Sequence, residues 1–140
     1  MKKFKQDDIK KLINNLDFTK ISGNLIPIIT QDISSDKILM LGFATAEAVE
    51  KSLETGYVHY YSRSRNVLWK KGETSGNLQE IKEIFIDCDN DSILYKVKQV
   101  GGACHEGYYS CFHKKFVNGS LVICEKRLFD PQKIYGKSKE

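Results

Sequence analysis
The sequence predicts an α+β fold, a mainly antiparallel β-sheet with two short helices. Three observations lead there. Only two stretches place apolar residues at helical spacing. About seven or eight short runs are instead apolar or alternating at strand length. Helices and strands do not alternate regularly, which argues against a doubly wound parallel sheet. No internal repeat imposes another architecture.

The elements follow in order. Ile9, Leu12, Ile13 and Leu16 form one helical face within an N-terminal helical region, residues 1–20. Asp7 and Asp8 are expected to cap that helix and to offer favourable charge to its start. Gly23-Asn24 breaks the pattern. Leu25 to Gln31 then reads as a strand, placed at a sheet edge because Pro27 cannot donate to a ladder. The turn residues 32–36 join it to a partner strand, Lys37 to Phe43. Thr45 caps a second helix, with Ala48, Val49 and Leu53 inward and Gly56 as its stop.

Tyr57 to Tyr61 and Val67 to Lys71 read as short strands. They flank Ser62-Arg63-Ser64-Arg65. A polar loop follows, Gly72-Glu73-Thr74-Ser75-Gly76-Asn77. Ile81 to Asp87 and Ile93 to Val100 alternate as two strands around an acidic cluster. Tyr108 to Val117 and Leu121 to Lys126 form a last hairpin about Asn118-Gly119. Residues 127–140 are expected to be a tail, frayed from Gly136 onward.

Composition sets outer bounds. A chain of 140 residues is expected to be a single domain spanning 1–140. Hydrophobic residues at 41% and charged residues at 29% are ordinary for a soluble protein. No apolar run approaches the roughly 18–20 residues of a membrane span. The basic N-terminus lacks the apolar stretch of a signal peptide, so the expected location is cytoplasmic. In a reducing compartment, clustered cysteines point to metal or catalysis rather than disulfides. The net charge of +4 fits anionic small substrates and also weak nucleic-acid binding.

The chemistry concentrates between residues 87 and 111. If the backbone is extended, Asp87, Asp89 and Asp91 share one face and Cys88 takes the other. Three carboxylates together either titrate upward or recruit a hard cation such as Mg²⁺. The plain alternative is a solvated acidic turn. Cys88, Cys104 and Cys111 are a soft set suited to zinc, and three ligands leave one position open, as in catalytic sites. The alternative is a set of incidental or core thiols. Cys124, in the apolar run 121–124, reads as a buried core thiol.

His105 follows Cys104 and suits general acid–base work. His59 reads as packing, and His113 is open between roles. Arg63 and Arg65 offer guanidinium forks, and the 72–77 loop offers hydroxyls and backbone N–H groups, as anion sites do. Each alone is an ordinary polar loop. Beside a metal cluster they point to a phosphorylated substrate.

From about Gly23 to Phe112 the chain resembles the phosphoribosyl-AMP cyclohydrolase family of histidine biosynthesis. The resemblance rests on motifs in order. They are Ser62-Arg63-Ser64-Arg65, Leu68-Trp69-Lys70-Lys71-Gly72-Glu73-Thr74-Ser75-Gly76-Asn77, Asp87-Cys88-Asp89-Asn90-Asp91, Gln99-Val100-Gly101-Gly102-Ala103-Cys104-His105 and Ser110-Cys111-Phe112. It implies Mg²⁺ on Asp87, Asp89 and Asp91, zinc on Cys88, Cys104 and Cys111, and a catalytic role for His105. Arg63, Arg65, Trp69, Lys71, Thr74, Ser75, Gly76 and Asn77 are the expected substrate-binding residues.

The resemblance further implies a compact, interlocked homodimer in which both subunits ligate each zinc. It is to the monofunctional form, with no fused pyrophosphohydrolase domain. Leu41-Gly42-Phe43-Ala44-Thr45-Ala46 departs from the family's usual Leu-Ala-Tyr-Met-Asn-Glu. The implied reaction is hydrolysis of the N1–C6 bond of the substrate's adenine ring, with zinc supplying activated water.

Two rival readings compete. A basic zinc-stabilised module would contact nucleic acid through Arg63, Arg65 and Lys70, but the aspartates would repel such a partner. A metal-dependent nucleotide pyrophosphohydrolase would use the aspartates alone and leave the thiols without a role. The cyclohydrolase reading uses both sets, and it expects neither a nucleic-acid nor a membrane partner.

Overall fold
The computed structural model describes residues 4–136. The fraying expected of the last residues concerns 137–140, which lie outside the described residues, and Gly136, which ends a short helix. Among the described residues are three helices and eight strands. The fold is α+β and mainly antiparallel, and no helix is long and apolar enough to cross a membrane.

The central sheet has the order β2-β1-β6-β5, built from β1 (Ile26–Asp32), β2 (Ile38–Ala44), β5 (Gln79–Ile86) and β6 (Ile93–Gln99). Strand alternation puts Ile26, Ile28 and Thr30 of β1 and Ile93, Tyr95 and Val97 of β6 on one buried face. Against that face pack α1 (Gln6–Asn15) through Ile9, Leu16 just after it, and α2 (Ala46–Thr55) through Ala48, Val49 and Leu53. The other face carries a row of apolar side chains in register: Leu41 opposite Ile29, Ile29 opposite Leu94, and Leu94 opposite Phe85. Leu41 and Phe85, at the two ends of that row, are each 48% exposed.

Two two-stranded ribbons complete the structure: β3 (His59–Ser62) with β4 (Val67–Lys70), and β7 (Lys114–Val117) with β8 (Ser120–Ile123). The second ribbon turns at Asn118 and Gly119, both at positive φ as the turn chemistry requires. Every residue of β7 and β8 is exposed, including Phe116 and Leu121.

Several expectations are corrected. β1 is a central strand, antiparallel to β2 and parallel to β6. Pro27 is tolerated because pairing with β6 begins at Ile28, so the missing N–H falls before the second ladder starts. The N-cap of α1 is Lys5, without a side-chain cap. Asp7 and Asp8 lie inside the first turn, where only their charge helps. The helix also ends at Asn15, short of residue 20.

Residues 108–113 are not strand, because their backbone groups serve the Cys104 loop and β2 instead. Cys124 is exposed, since no layer covers the β7–β8 ribbon. The expected tail contains α3 (Pro131–Tyr135), started by Pro131 and by the Asp130 side chain accepting from Gln132 N–H at 3.0 Å.

α2 follows its sequence signals closely. The Thr45 hydroxyl accepts from Ala48 N–H at 3.2 Å, and Gly56 ends the helix in the left-handed region. Thr45→Ala is expected to lower stability by about 1 kcal/mol. Urea denaturation followed by Trp69 fluorescence measures this.

Candidate active site
The acidic cluster is a turn, not an extended segment. The Asp87 carboxylate accepts from Asp91 N–H at 3.0 Å and from Ser92 N–H at 3.2 Å, closing the turn on itself. Asn90 sits at a φ of 61°, which Asn tolerates better than most residues. The three carboxylates therefore converge by chain reversal rather than by strand alternation. Their ligand oxygens lie within 4.8 Å of one another.

Hydrogen bonds from Ser92, together with those from Asp91, hold Asp87 well below the usual carboxylate range. Lys20 pulls Asp91 down, but Asp87 and Asp89 beside it push it up on balance. One member of the group thus resists ionisation because the others are charged. Lys20 Nζ lies 2.9 Å from Asp89 and 3.1 Å from Asp91. Such a donor set, all oxygen and already paired with one cation, fits a hard divalent ion.

The thiols divide. Cys104 and Cys111 are neighbours, and their interaction brings the Cys104 thiol down to about 6 while pushing Cys111 up. Cys104 also accepts from Glu106 N–H at 3.4 Å. A pair that readily loses one proton suits a soft metal ion. Cys88 is exposed in the acidic turn and does not join them in one chain.

The loop that gathers the thiol pair is pinned by backbone bonds. Ala103 N–H donates to Tyr109 O at 2.9 Å, Cys104 N–H to Tyr108 O at 3.1 Å, and Cys111 N–H to Leu39 O at 2.7 Å. The Ser110 hydroxyl adds a bond to Ile38 O at 2.7 Å.

His105 is half-buried and lines a cleft of about 350 Å³ with Glu106, Arg127, Gln132 and Tyr135. His113 is buried, stacked on Tyr108 at 3.7 Å, with Nδ1 3.0 Å from Ser110 O. Its place is structural support beneath the loop. His59 packs as expected, bonding Tyr57 O at 2.9 Å, and burial lowers its pKa.

Arg63, Arg65 and Trp69 share a second cleft, of about 210 Å³, with Phe43, Ser62 and Ser64. The Arg63 guanidinium lies 3.9 Å over the Phe43 ring, and Trp69 packs on Tyr60 at 5.3 Å. Lys71 does not join that cleft lining. It is buried, 5.8 Å from the Trp69 ring.

Thr74, Ser75 and Gly76 lie on the turn after β4, where Gly76 N–H reaches Gly72 O at 2.8 Å and Asn77 N–H reaches the Ser75 hydroxyl at 3.1 Å. Asn77 Nδ2 is buried without a hydrogen-bond partner. The Asn77 side chain lies against Gly101, where the chain enters the Cys104 loop.

The model of the phosphoribosyl-AMP cyclohydrolase family matches residues 40–113. Proteins named phosphoribosyl-AMP cyclohydrolase are similar over nearly the whole chain. That of Desulforapulum autotrophicum is 55% identical over 122 residues, covering 86% of this chain and 97% of the relative. That of Chloroherpeton thalassium is 52% identical over 130 residues, 91% of each. That of Chlorobaculum tepidum is 47% identical over 133 residues, 94% of this chain and 96% of the relative. The chain belongs to the phosphoribosyl-AMP cyclohydrolase family.

The cyclohydrolase match covers the acidic turn, the thiol pair and the Arg63 cleft, but not the β7–β8 turn or α3. Two site-forming contributions went unforeseen. Arg127 and Gln132 wall the His105 cleft from the presumed tail, and the Pro131 start signal was the clue. Buried Gln79 and half-buried Gln99 form an amide pair at 2.9 Å beneath the 72–77 loop. Their polar side chains at inward strand positions were the signal.

The cyclohydrolase motif Gly101-Gly102 has a steric cause at its second residue. A Cβ on Gly102 would lie 2.6 Å from Tyr108 O, the acceptor for Cys104 N–H. Gly102→Ala is expected to cost about 1–3 kcal/mol through this overpacking, read as a lowered urea midpoint.

Proposed function
We propose that the protein is a metal-dependent cyclohydrolase. It opens the adenine ring of 1-(5-phosphoribosyl)-AMP at the N1–C6 bond, the third step of L-histidine biosynthesis, in the cytoplasm and as a single domain over 1–140. Family membership across nearly the whole chain carries this reading. The chemistry of the two donor sets supports it.

Cys104, Cys111 and Cys88 would hold zinc, which supplies activated water when bound. Asp87, Asp89 and Asp91 would hold Mg²⁺ and help to orient a phosphorylated substrate. His105, at the cleft wall beside Cys104, moves the proton between water and the departing N1. N1 leaves rather than the exocyclic amine because it carries the second ribosyl phosphate. Arg63 and Arg65 bind phosphate through their forks, with Thr74, Ser75 and Gly76 adding hydroxyl and backbone donors. Trp69 offers an aromatic face, and Asn77 offers its unpaired N–H₂. Lys71 is buried, and its charge favours the thiolate of Cys111.

The working unit in this reading is a homodimer. One chain pairs Cys104 with Cys111 and leaves Cys88 apart, so a second copy completes the thiol set. The row from Leu41 to Phe85 and the exposed β7–β8 ribbon supply apolar surface for that copy.

Opening the adenine ring changes the ultraviolet spectrum. Zinc- and magnesium-replete protein is expected to shift the absorbance of phosphoribosyl-AMP, and an unchanged spectrum would refute the activity. A Cys104→Ser variant should be inactive, whereas a pyrophosphohydrolase using only the aspartates would retain activity.

Sharing of ligands between subunits has its own signature. Cys88→Ser and Cys104→Ser chains are each expected to be inactive alone. When refolded together they should recover about a quarter of wild-type activity, because half of randomly formed dimers carry one intact site of two. No recovery in verified mixed dimers argues that each thiol set is completed within one chain.

A further inference from the structure
Lys20 lies outside the motifs that carry the family resemblance, yet it touches two of the three aspartates. The chain after α1 is fastened to the acidic turn by a backbone bond, Asp17 N–H to Asn90 O at 2.7 Å. The Asp17 carboxylate is held in turn by Thr19, which donates its N–H at 2.9 Å and its hydroxyl at 2.5 Å. Lys20 therefore starts from a fixed base. Its Nζ reaches Asp89 Oδ2 at 2.9 Å and Asp91 Oδ2 at 3.1 Å. Its ion pairs are with these two and not with Asp87, whose carboxylate instead accepts the two N–H groups that close the turn.

Two cations cannot use the same oxygens equally. Mg²⁺ binds carboxylate oxygen at about 2.0–2.1 Å, closer than an ammonium does, and on an oxygen shared with Lys20 would sit within ~5 Å of Nζ. Like charges at that distance repel, so Lys20 must swing aside. Its side chain is 43% exposed, which leaves solvent for it to enter.

We propose that Lys20 is a positioning residue, a tethered counter-ion that keeps Asp89 and Asp91 gathered before a divalent ion enters and sets the affinity by competing with it. This rests on the reading of the aspartates as divalent-cation ligands. It predicts opposite effects on two properties, since removing the charge favours metal binding but loosens the metal-free turn.

The experiment is calorimetric titration of magnesium-free, zinc-containing protein with Mg²⁺ and with Mn²⁺. Asp87→Asn identifies the heat that belongs to this site. Lys20→Met and the more polar Lys20→Gln are expected to bind on the order of tenfold more tightly than wild type, and Lys20→Arg to stay near wild type. Without divalent ion, the two neutral variants are expected to melt at lower temperature than wild type, and saturating Mg²⁺ should close the gap. Wild-type binding with equal or weaker binding by both neutral variants overturns the competition. Absence of binding by every variant, wild type included, overturns the metal reading and this inference with it.

Discussion
The side-chain amide of Gln79 is fully buried, and four strands meet on it. Its oxygen accepts from the Tyr60 hydroxyl at 2.6 Å, while its nitrogen donates to Thr30 at 3.3 Å and to Gln99 at 2.9 Å. Those partners lie on β3, β1 and β6, so one side chain on β5 ties the first ribbon to the central sheet. Gln99 then bonds Val100 O at 2.9 Å, at the point where the chain leaves the sheet for the Cys104 loop. A buried amide left unpaired costs about 1–3 kcal/mol. The arrangement is thus favourable only when all four strands are in this register. The take-off points of the 72–77 loop and of the 101–111 loop are set by that condition.

The metal-type donors depend on the same frame but use different local devices. The acidic turn is closed by its own backbone donating to Asp87, so it needs little from the core beyond the ends of β5 and β6. The thiol pair needs much more. Cys104 is brought to Cys111 by two bonds across 103–109, and Cys111 is anchored to β2 at Leu39. Asp87 and Asp89 are exposed and Asp91 half-buried, whereas Cys104 is buried. Accessible oxygen ligands favour an ion that keeps several waters, and thiolates favour a softer one.

Much of the fold was legible because period and punctuation agreed. Thr45 and Gly56 mark both ends of α2, and alternation over 81–87 and 93–100 marks β5 and β6 within a residue or two. What failed was inference about pairing. A proline at a strand start says which ladder bond is missing, but not whether a second strand joins one residue later, as β6 does at Ile28. Cys124 looked buried because Leu121-Val122-Ile123 is apolar, and apolar sequence cannot distinguish a core strand from an uncovered one. The aspartates were correctly grouped for an incorrect geometric reason. A period of two and a tight turn both bring alternate residues together, and only the αL Asn90 separates them.

Those failures bear on how the site is assembled. The ribbon that apolar sequence misjudged and the row across the sheet are both surfaces with exposed apolar side chains. The row ends at Phe85, two residues before Asp87 and three before Cys88. A copy docked on that face would lie directly beside the acidic turn. Burying the row and bringing a foreign thiol pair to Cys88 are then one event. In the proposed dimer the apolar surface would drive association, and a soft metal ion would favour the approach only when the three thiols come within reach. In that proposed arrangement neither contribution would belong to the single chain, whose own fold gathers the three carboxylates but not the three thiols.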